Sequence, residues 1–435
     1  MTQRSAPICL AVFVACATLT PATARAQQDV PLSQLLVRLI QSEIRLAPPP
    51  PGFISHEAHF IPGSDQLLAP ALFNQQIVTQ LATFPIGSPS GGFSFVFDPT
   101  LGTFERTTQS FGPAFAERAL TNGEGKLTFG VNTQYSRYTS FEGQNLRNGD
   151  VTFYLRHDDS GGQFFEGDIV EAALNLDLSS STTTIFANYG VTERFDVALA
   201  VPIVSVSMTA RVDAEVLPFA TPNIPGIHVF PNGTKNAAFS SAGSAAGIGD
   251  LLVRSKYRFF DAAGGGLAAG VDLRLPTGND EDLLGTGAVA VAGTLIGSTT
   301  VGRWAPHFNV GFTKSGSGDI VNAPDEFGYR VGTEFIATPT VTLNTTLIGR
   351  TLIDAGRLQL TDTTWNFVNN LGVPGSTSFQ EYTVRGDSLN LVSLAMGGKF
   401  NVAGNVLVSA NVLVALSSAG VTARVTPVVG IDYSF

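Results

Sequence analysis

The sequence predicts an all-β fold, a transmembrane antiparallel β-barrel of about 14 strands (roughly 12–16) with an N-terminal helical or irregular segment. Charged residues make up only 14% of the chain, against about 25% in ordinary soluble domains. No apolar stretch reaches the roughly 18 residues of a membrane-spanning helix. From about residue 124 onward, apolar and polar residues alternate with period two, which is typical of strands with one face in lipid.

Charge and hydropathy exclude one class of partner. The chain carries 35 acidic and 25 basic residues, a net charge of −10, and its mean hydropathy is +0.20. Nucleic-acid binding requires an excess of Lys and Arg to neutralise phosphates. We therefore expect no nucleic-acid partner.

Residues 1–26 have the pattern of a secretory signal peptide. Arg4 precedes an apolar run at residues 8–17, and Ala-Arg-Ala at residues 24–26 matches a cleavage site. Both cysteines, Cys9 and Cys16, fall within this segment, so the predicted mature chain has no thiol or disulfide. The alternative is that Cys16 is a lipidated terminus, but the residues before it match a lipobox poorly.

The second region, residues 27–120, is predicted to contain a helix, a Pro-rich connector and a hairpin. Apolar residues from Leu32 to Ile44 recur at helical spacing, Ser33 is a candidate cap, and prolines 48–51 end the helix. The helix fits either a surface element or a plug inside a lumen. The hairpin between Gly91 and Phe111 fits a plug, a periplasmic cap or two extra wall strands.

The third region, residues 121–435, is predicted to be the barrel. Fourteen candidate strands begin near residues 124, 151, 165, 182, 195, 247, 265, 288, 304, 326, 341, 388, 405 and 421. The connections between them are mostly short at one end of the strands and longer at the other, with the longest at residues 209–246 and 355–387. Short periplasmic turns and long extracellular loops are typical of outer-membrane barrels.

The last strand supports the same location. Apolar residues alternate from Val425 to Phe435, which resembles the C-terminal signal of Gram-negative outer-membrane proteins. We therefore expect location in the cell outer membrane, contact with its lipid and lipopolysaccharide, and recognition of Phe435 by the barrel-assembly machinery.

Charged residues on the non-lipid face of the strands are predicted to line the lumen, because ions persist at membrane depth only beside water or each other. The predicted lumen-lining residues are Arg254, Lys256, Arg258, Asp272, Arg274, Arg330, Glu334, Arg350 and His307. Matching the faces of two neighbouring strands places Asp272 opposite Arg254 or Lys256. Such a pair either selects solutes or only stabilises the wall.

No catalytic or metal-binding motif is evident, so we expect neither an enzyme nor a cofactor. His56 and His59 lack the spacing of a zinc-binding helix, and His157 is predicted to lie at a periplasmic turn. The acidic run at residues 279–282 has oxygen ligands for a divalent cation but does not fit an EF-hand, and it is more often a solvated loop.

A longer pattern carries a family resemblance. Residues 247–259 read GIGDLLVRSKYRF and residues 273–287 read LRLPTGNDEDLLGTG, with NYGVT at residues 188–192 and VPI at residues 201–203. Together they resemble the outer-membrane protein family associated with the phenol meta-cleavage degradation pathway. The resemblance implies a transporter-like β-barrel. The chain is more distantly similar to the long-chain fatty-acid and aromatic-hydrocarbon transporters, which have an N-terminal plug.

Three functions follow from these observations. The first is an outer-membrane, porin-like channel or transporter for passive uptake of small hydrophobic or aromatic solutes. The alternative is a structural or surface-binding barrel that uses the two longest loops and transports nothing. An outer-membrane hydrolase is the third, and it would require His157 or His307 to be catalytic.

Overall fold

The computed structural model of the protein describes residues 30–48, 51, 68–88, 92–98, 103–106, 109–156, 164–262, 264–318 and 323–435. The predicted signal peptide, His56, His59 and His157 lie outside these ranges. No helix within them is long and apolar enough to cross a membrane.

The described part of the chain is mostly strand. The helices are a 3-10 turn at Leu32–Gln34, α1 at Leu35–Arg38, a π turn at Leu39–Glu43, α2 at Leu68–Ala82 and a 3-10 turn at Phe164–Gly167. The strands are β1 (Phe95–Asp98), β2 (Thr103–Arg106), β3 (Leu127–Tyr138), β4 (Ser140–Phe141), β5 (Gln144–Asn145), β6 (Val151–Arg156), β7 (Ile169–Thr192), β8 (Phe195–Leu217), β9 (Asn236–Ile248), β10 (Leu251–Ala262), β11 (Gly265–Leu275), β12 (Ala290–Ser298), β13 (Trp304–Ser315), β14 (Glu326–Thr338), β15 (Val341–Leu352), β16 (Arg357–Val368), β17 (Pro374–Arg385), β18 (Leu389–Ala403), β19 (Val406–Ala415), β20 (Val421–Thr422) and β21 (Val425–Ser434).

A closed antiparallel barrel is formed by twelve of the described strands. Their order around the wall is β7, β3, β21, β19, β18, β15, β14, β13, β12, β11, β10, β8, and β8 pairs with β7 to close it. Strands β6 and β9 extend the same sheet to fourteen. The predicted fold class is confirmed. Closure leaves the wall without a free strand edge in the bilayer, where an unpaired backbone group would be costly.

The two ends of the barrel differ in their connections. Tight turns join β7 to β8, β10 to β11, β14 to β15 and β18 to β19 at one end, called here the short-turn rim. The connections at the opposite end, the long-loop rim, include residues 276–289 and the hairpin β16–β17. By the usual topology of such barrels, the short-turn rim faces the periplasm.

The outer face of the wall is apolar and carries an aromatic belt near the short-turn rim. Its exposed rings are Phe129, Tyr189, Tyr257, Phe259, Phe260, Trp304, Phe400, Tyr433 and Phe435. Rings at this level are typical of the interface between lipid and water, because they have an apolar body with polar or polarisable edges. A closed barrel with this outer face is an outer-membrane protein, in contact with membrane lipid.

Strands β7 and β8 continue beyond the bilayer. The outward side chains of β8 are apolar from Phe195 to Ile203, and they are Ser, Thr or charged at alternate positions from Ser205 to Glu215. Over the same stretch, the inward side chains from Val206 to Val216 are apolar and fully buried. The outer face of β8 therefore meets lipid in its lower half and water in its upper half. The part of the sheet beyond the bilayer, formed by the upper half of β8 and its neighbouring strands, is called here the sheet extension.

A charge on each half of β8 tests this boundary. Leu199 points outward within the apolar stretch and is 44% exposed. We expect Leu199→Arg to lower the free energy of unfolding by roughly 2–4 kcal/mol, because arginine at membrane depth loses its hydration. Ser207→Arg, on the same face of the extension, is the matched control and should change it by no more than about 0.5 kcal/mol. Guanidinium unfolding in phosphatidylcholine vesicles measures both, and equal losses would contradict the proposed boundary.

Three predictions, one of two separate strands and two of long loops, are wrong for one physical reason. The predicted strands near residues 165 and 182 are one continuous strand, β7. The predicted loop at residues 209–246 contains the end of β8 and all of β9, and the loop at residues 355–387 folds into the hairpin β16–β17. Outside the bilayer the apolar face turns inward and the polar face outward, so the lipid-facing pattern used for prediction no longer applies.

The N-terminal helices pack against the sheet extension at the long-loop rim. Apolar residues from Leu32 to Leu46 join the inward face of the extension in one hydrophobic core, together with Phe73 and Ile77 of α2. Phe73 packs edge-on against Phe141 with ring centroids 4.4 Å apart. The helical spacing predicted over this segment is confirmed, but Ser33 does not cap the helix with its side chain.

The hairpin β16–β17 covers this core from one side. Tyr154 of β6 stacks on Phe379 at 4.1 Å, and the indole of Trp365 donates to the carbonyl of Gly167 over 2.9 Å. Arg156 forms an ion pair with Glu381. The part of the molecule beyond the bilayer thus has an apolar core and a polar outer surface, as a small soluble domain has.

Candidate functional site

The described residues between 83 and 122, called here the inner segment, lie inside the barrel. Residues 89–91, 99–102 and 107–108 lie outside the described ranges. Thr83 accepts a hydrogen bond from Arg350 of β15, near the long-loop rim. At the opposite end, the amide of Asn122 donates to the carboxylate of Asp196 on β8. The two ends of the inner segment therefore lie at opposite rims of the barrel.

The inner segment does not join the wall. Strands β1 and β2 pair only with each other, as a separate two-stranded sheet. Phe95, at the start of β1, accepts the Lys126 ammonium over its ring at 5.3 Å, close to the short-turn rim. Strands β1 and β2 are the hairpin predicted between residues 91 and 111, and their separate pairing excludes a role as wall strands. The N-terminal helix lies at the long-loop rim, where it packs on the sheet extension, and not in the lumen.

A buried ion cluster anchors the middle of the segment. Glu117 accepts a hydrogen bond from Arg254 and lies 3.8 Å from the Lys256 ammonium. Lys256 also donates to the carbonyls of Arg118 and Leu120, at 3.2 and 2.8 Å, and lies 3.6 Å from Asp196. The Lys256 side chain is only 2% exposed and that of Glu117 only 8%. Buried charges persist in such a place only when they are paired and hydrogen-bonded.

The predicted charge pairing across two strands is confirmed. Arg254 and Asp272 are register partners on β10 and β11. The Arg254 guanidinium donates from Nε and Nη2 to the two carboxylate oxygens of Asp272, both at 2.6 Å. This fork-to-fork geometry fixes the direction of the guanidinium, and its remaining nitrogen Nη1 reaches Glu117. The pair thus joins the wall to the inner segment.

A second buried cluster holds the lower part of the segment. Ser110 donates to Glu334 of β14, and His307 Nδ1 lies 3.4 Å from the same carboxylate. His307 Nε2 is 3.1 Å from the Thr346 hydroxyl. The His307 and Glu334 side chains are fully buried, so they face the segment inside the barrel as the alternation predicts.

The remaining predicted residues lie at two levels. Arg350 forms a two-point ion pair with Glu326, and Arg274 donates to the carbonyl of Ala82 at 2.9 Å. Arg330 lies below them on β14 and also faces the interior. Arg258 is different, because it contacts Glu193 and Asp261 at the short-turn rim, away from the cavity described below.

A cavity of about 130 Å³ lies between the start of the inner segment and the wall. Phe84, Pro85 and Ile86 line it on one side, and strands β10 to β15 line it on the other. It extends toward the long-loop rim at Thr286 and Pro324. Arg254, Asp272, Arg274, Glu326, Arg330 and Arg350 supply its charged lining.

Several residues of the site were not predicted. Glu117 and Arg118 lie in irregular backbone, where no periodicity relates a side chain to a face. Asn309, which accepts from the Glu117 amide at 2.7 Å, was not singled out as a site residue. Glu326 was detectable, because it has the same parity on β14 as Arg330 and Glu334.

Other sequence candidates are placed outside this site. The loop at residues 279–282 is closed by its own hydrogen bonds, and its Glu281 carbonyl accepts from the Ser33 amide at 2.9 Å. Asp250, just before β10, anchors the same loop through the amides of Gly278 and Thr286. Within the described ranges, no three His, Cys, Asp or Glu side chains meet as a metal site.

One family model is similar to the middle of the chain. A family model described as "Putative MetA-pathway of phenol degradation" matches residues 156–366. The resemblance to that outer-membrane family is confirmed. No curated protein matches the chain.

Solved structures of other proteins are also similar to this chain. An outer membrane channel from Pseudomonas putida F1 is 15% identical, with 73% of this chain and 98% of that chain covered and a TM-score of 0.43. The toluene transporter TbuX from Ralstonia pickettii is 14% identical, with 75% and 94% covered and a TM-score of 0.30. The toluene transporter TodX from P. putida is 11% identical, with 81% and 98% covered and a TM-score of 0.31.

Proposed function

We propose that the protein is an outer-membrane channel, and not an enzyme, for passive uptake of small hydrophobic or aromatic solutes. The observation that carries the proposal is a closed barrel whose lumen contains a segment held by side chains, beside a cavity with apolar residues. The family match over residues 156–366 supports a role connected with aromatic compounds.

The way in which the inner segment is held favours a gate over a permanent core. Its described residues share no strand pairing with the wall. They are held instead by side-chain contacts. Ion pairs and hydrogen bonds join the wall to Glu117, Ser110 and Asn122, and Phe111 and Phe115 pack against apolar side chains of the wall. Displacing the segment would therefore leave the hydrogen bonds of the wall intact, since closure of the barrel depends only on its strands.

The partners belong to the same proposal. Solute would enter at the long-loop rim, where the cavity begins, and leave at the short-turn rim into the periplasm. We also propose that Phe435, whose ring is exposed and packs edge-on against Tyr433 at 4.6 Å, is recognised by the barrel-assembly machinery.

Uptake by cells tests the function. A porin-deficient Gram-negative strain that expresses the protein should take up micromolar benzyl alcohol several-fold faster than the same strain with an empty vector, because lipopolysaccharide slows the entry of such solutes. Uptake of a disaccharide is the matched measurement, and it should not change, because the cavity of about 130 Å³ beside the inner segment is too small for two sugar rings.

The other outcomes separate the competing functions. Faster entry of both solutes would identify a general porin and contradict the proposed selectivity. Unchanged entry of both, with the barrel present in the outer membrane, would favour the structural or surface-binding barrel.

A further inference from the structure

The cavity beside the inner segment has an excess of positive charge. Among the residues that the structure describes, four arginines and two carboxylates line it, so two guanidinium groups of this lining have no acid of the lining to pair with. This is the reverse of the whole chain, whose net charge is −10. A local reversal of sign in a lumen, where charges act over short distances with little screening, favours ligands of the opposite charge.

The two unmatched groups are Arg274 and Arg330. Arg254 is paired with Asp272 and Glu117, and Arg350 is paired with Glu326. Among the described residues, Arg274 has one hydrogen bond, to the carbonyl of Ala82, and the buried Nε of Arg330 has no acceptor. A guanidinium has five N–H donors, so both side chains retain donors for a ligand.

The rest of the lining is apolar and of limited size. Phe84, Pro85 and Ile86 of the inner segment face Leu252 and Leu352 of the wall across the cavity. The volume of about 130 Å³ is close to that of a cavity of about 150 Å³ that accepts benzene. Apolar walls with a few converging polar groups are typical of sites for small organic ligands.

We infer that this cavity binds a small organic carboxylate, with its anionic group on Arg330 and Arg274 and an apolar group of about one ring against Phe84 and Ile86. Carboxylate is the anion that matches the planar fork of a guanidinium, with two hydrogen bonds of good geometry. The inference adds the charge of the preferred solute to the proposed function. Its relevance to uptake rests on that proposed function.

Calorimetric titration of the purified full-length barrel in detergent tests the inference, with benzoate as the probe. Benzyl alcohol is the neutral ligand of similar size. We expect benzoate to bind at least about tenfold more tightly than benzyl alcohol, because hydrogen bonds between charged groups are the stronger ones. The benzoate affinity should fall as salt is added. Equal affinities for the two ligands would overturn the inference without any variant.

A variant locates the site. Arg330→Gln should weaken benzoate binding about tenfold or more and leave benzyl alcohol unaffected. Arg303→Gln is the matched control, because Arg303 lies at the short-turn rim on the carbonyl of Ile336 and outside the cavity. Arg274→Gln replaces Arg330→Gln if the latter does not fold, as judged by its heat-modifiable mobility. Unchanged benzoate affinity in a folded cavity variant would overturn the assignment.

The remaining outcomes distinguish the ligand class and the function. Inorganic phosphate that competes as well as benzoate would identify a general anion site and overturn the organic part of the inference. If benzoate does not bind but benzyl alcohol uptake is intact, the inference fails and the proposed channel stands. If benzoate binds but no ring solute enters cells, the cavity is a binding site in a barrel that does not transport.

Discussion

Uptake of benzyl alcohol is expected to stop when the inner segment is tethered to the wall by a disulfide between residues 92 and 434. A Cβ atom added at Gly92 would lie 3.7 Å from the Ser434 hydroxyl oxygen. Gly92→Cys with Ser434→Cys therefore brings two thiols within disulfide range. Uptake through a gate that must move should fall to the empty-vector rate when the disulfide forms, and recover on reduction.

The matched controls for the tether are the two single-cysteine variants. Both cysteines of the natural chain lie in the predicted signal peptide, so each single variant should have no partner thiol and should show the same uptake with and without reductant. Disulfide formation is followed by thiol labelling. Full uptake by the oxidised double variant would show that solute passes without displacement of the segment near Gly92, and would contradict the gate.

Opening of the channel is expected when the central acid of the buried ion cluster is removed. Glu117→Gln leaves Arg254 and Lys256 facing a neutral amide. Removal of one partner from a buried ion pair costs about 3–5 kcal/mol when the remaining charge is left uncompensated. Asp272 and Asp196 still face the two cations here, so we expect a loss below that range. Since the wall is held by its own strand pairing, this cost should mainly release the inner segment. We expect a steady conductance in planar bilayers that the unaltered protein does not show.

The control for the cluster is Glu124→Gln. Glu124 is an exposed acid close to the end of the inner segment, at the short-turn rim, so its loss should leave the conductance at the level of the unaltered protein. A closed Glu117→Gln channel, with an unfolding midpoint equal to that of Glu124→Gln, would show that the ion cluster does not hold the gate.

Features that depend on strand parity were predictable. The alternation placed Arg254 and Asp272 on the same face, and the matching of two strands made them neighbours, as the structure confirms. The same parity pointed His307 and Glu334 inward. A one-residue change of register would turn each of these side chains into lipid, so the cost of burying polar and charged groups in the bilayer fixes the parity.

Features without a period were not predictable. Glu117 and Arg118 lie in irregular backbone between β2 and β3, and their positions depend on partners such as Arg254 and Lys256 from elsewhere in the chain. The sheet extension was missed because its outward Arg211, Asp213 and Glu215 have the composition of a loop. Their strand conformation depends on the apolar N-terminal helices packed behind them.

The sequence by itself determined the class of this protein and the sides of its strands. A low fraction of charged residues, the alternation of apolar and polar residues, and short turns together indicate a closed sheet in lipid. Each of these features can be read from neighbouring residues, because the bilayer acts on every strand in the same way. Only the tertiary structure decided that twelve of the described strands close the wall and that the inner segment enters the lumen. It also decided that, within the described part of the cavity lining, Arg274 and Arg330 have no acid to pair with. These depend on contacts between residues far apart in the chain, where the partner of each charge is set by packing and not by spacing.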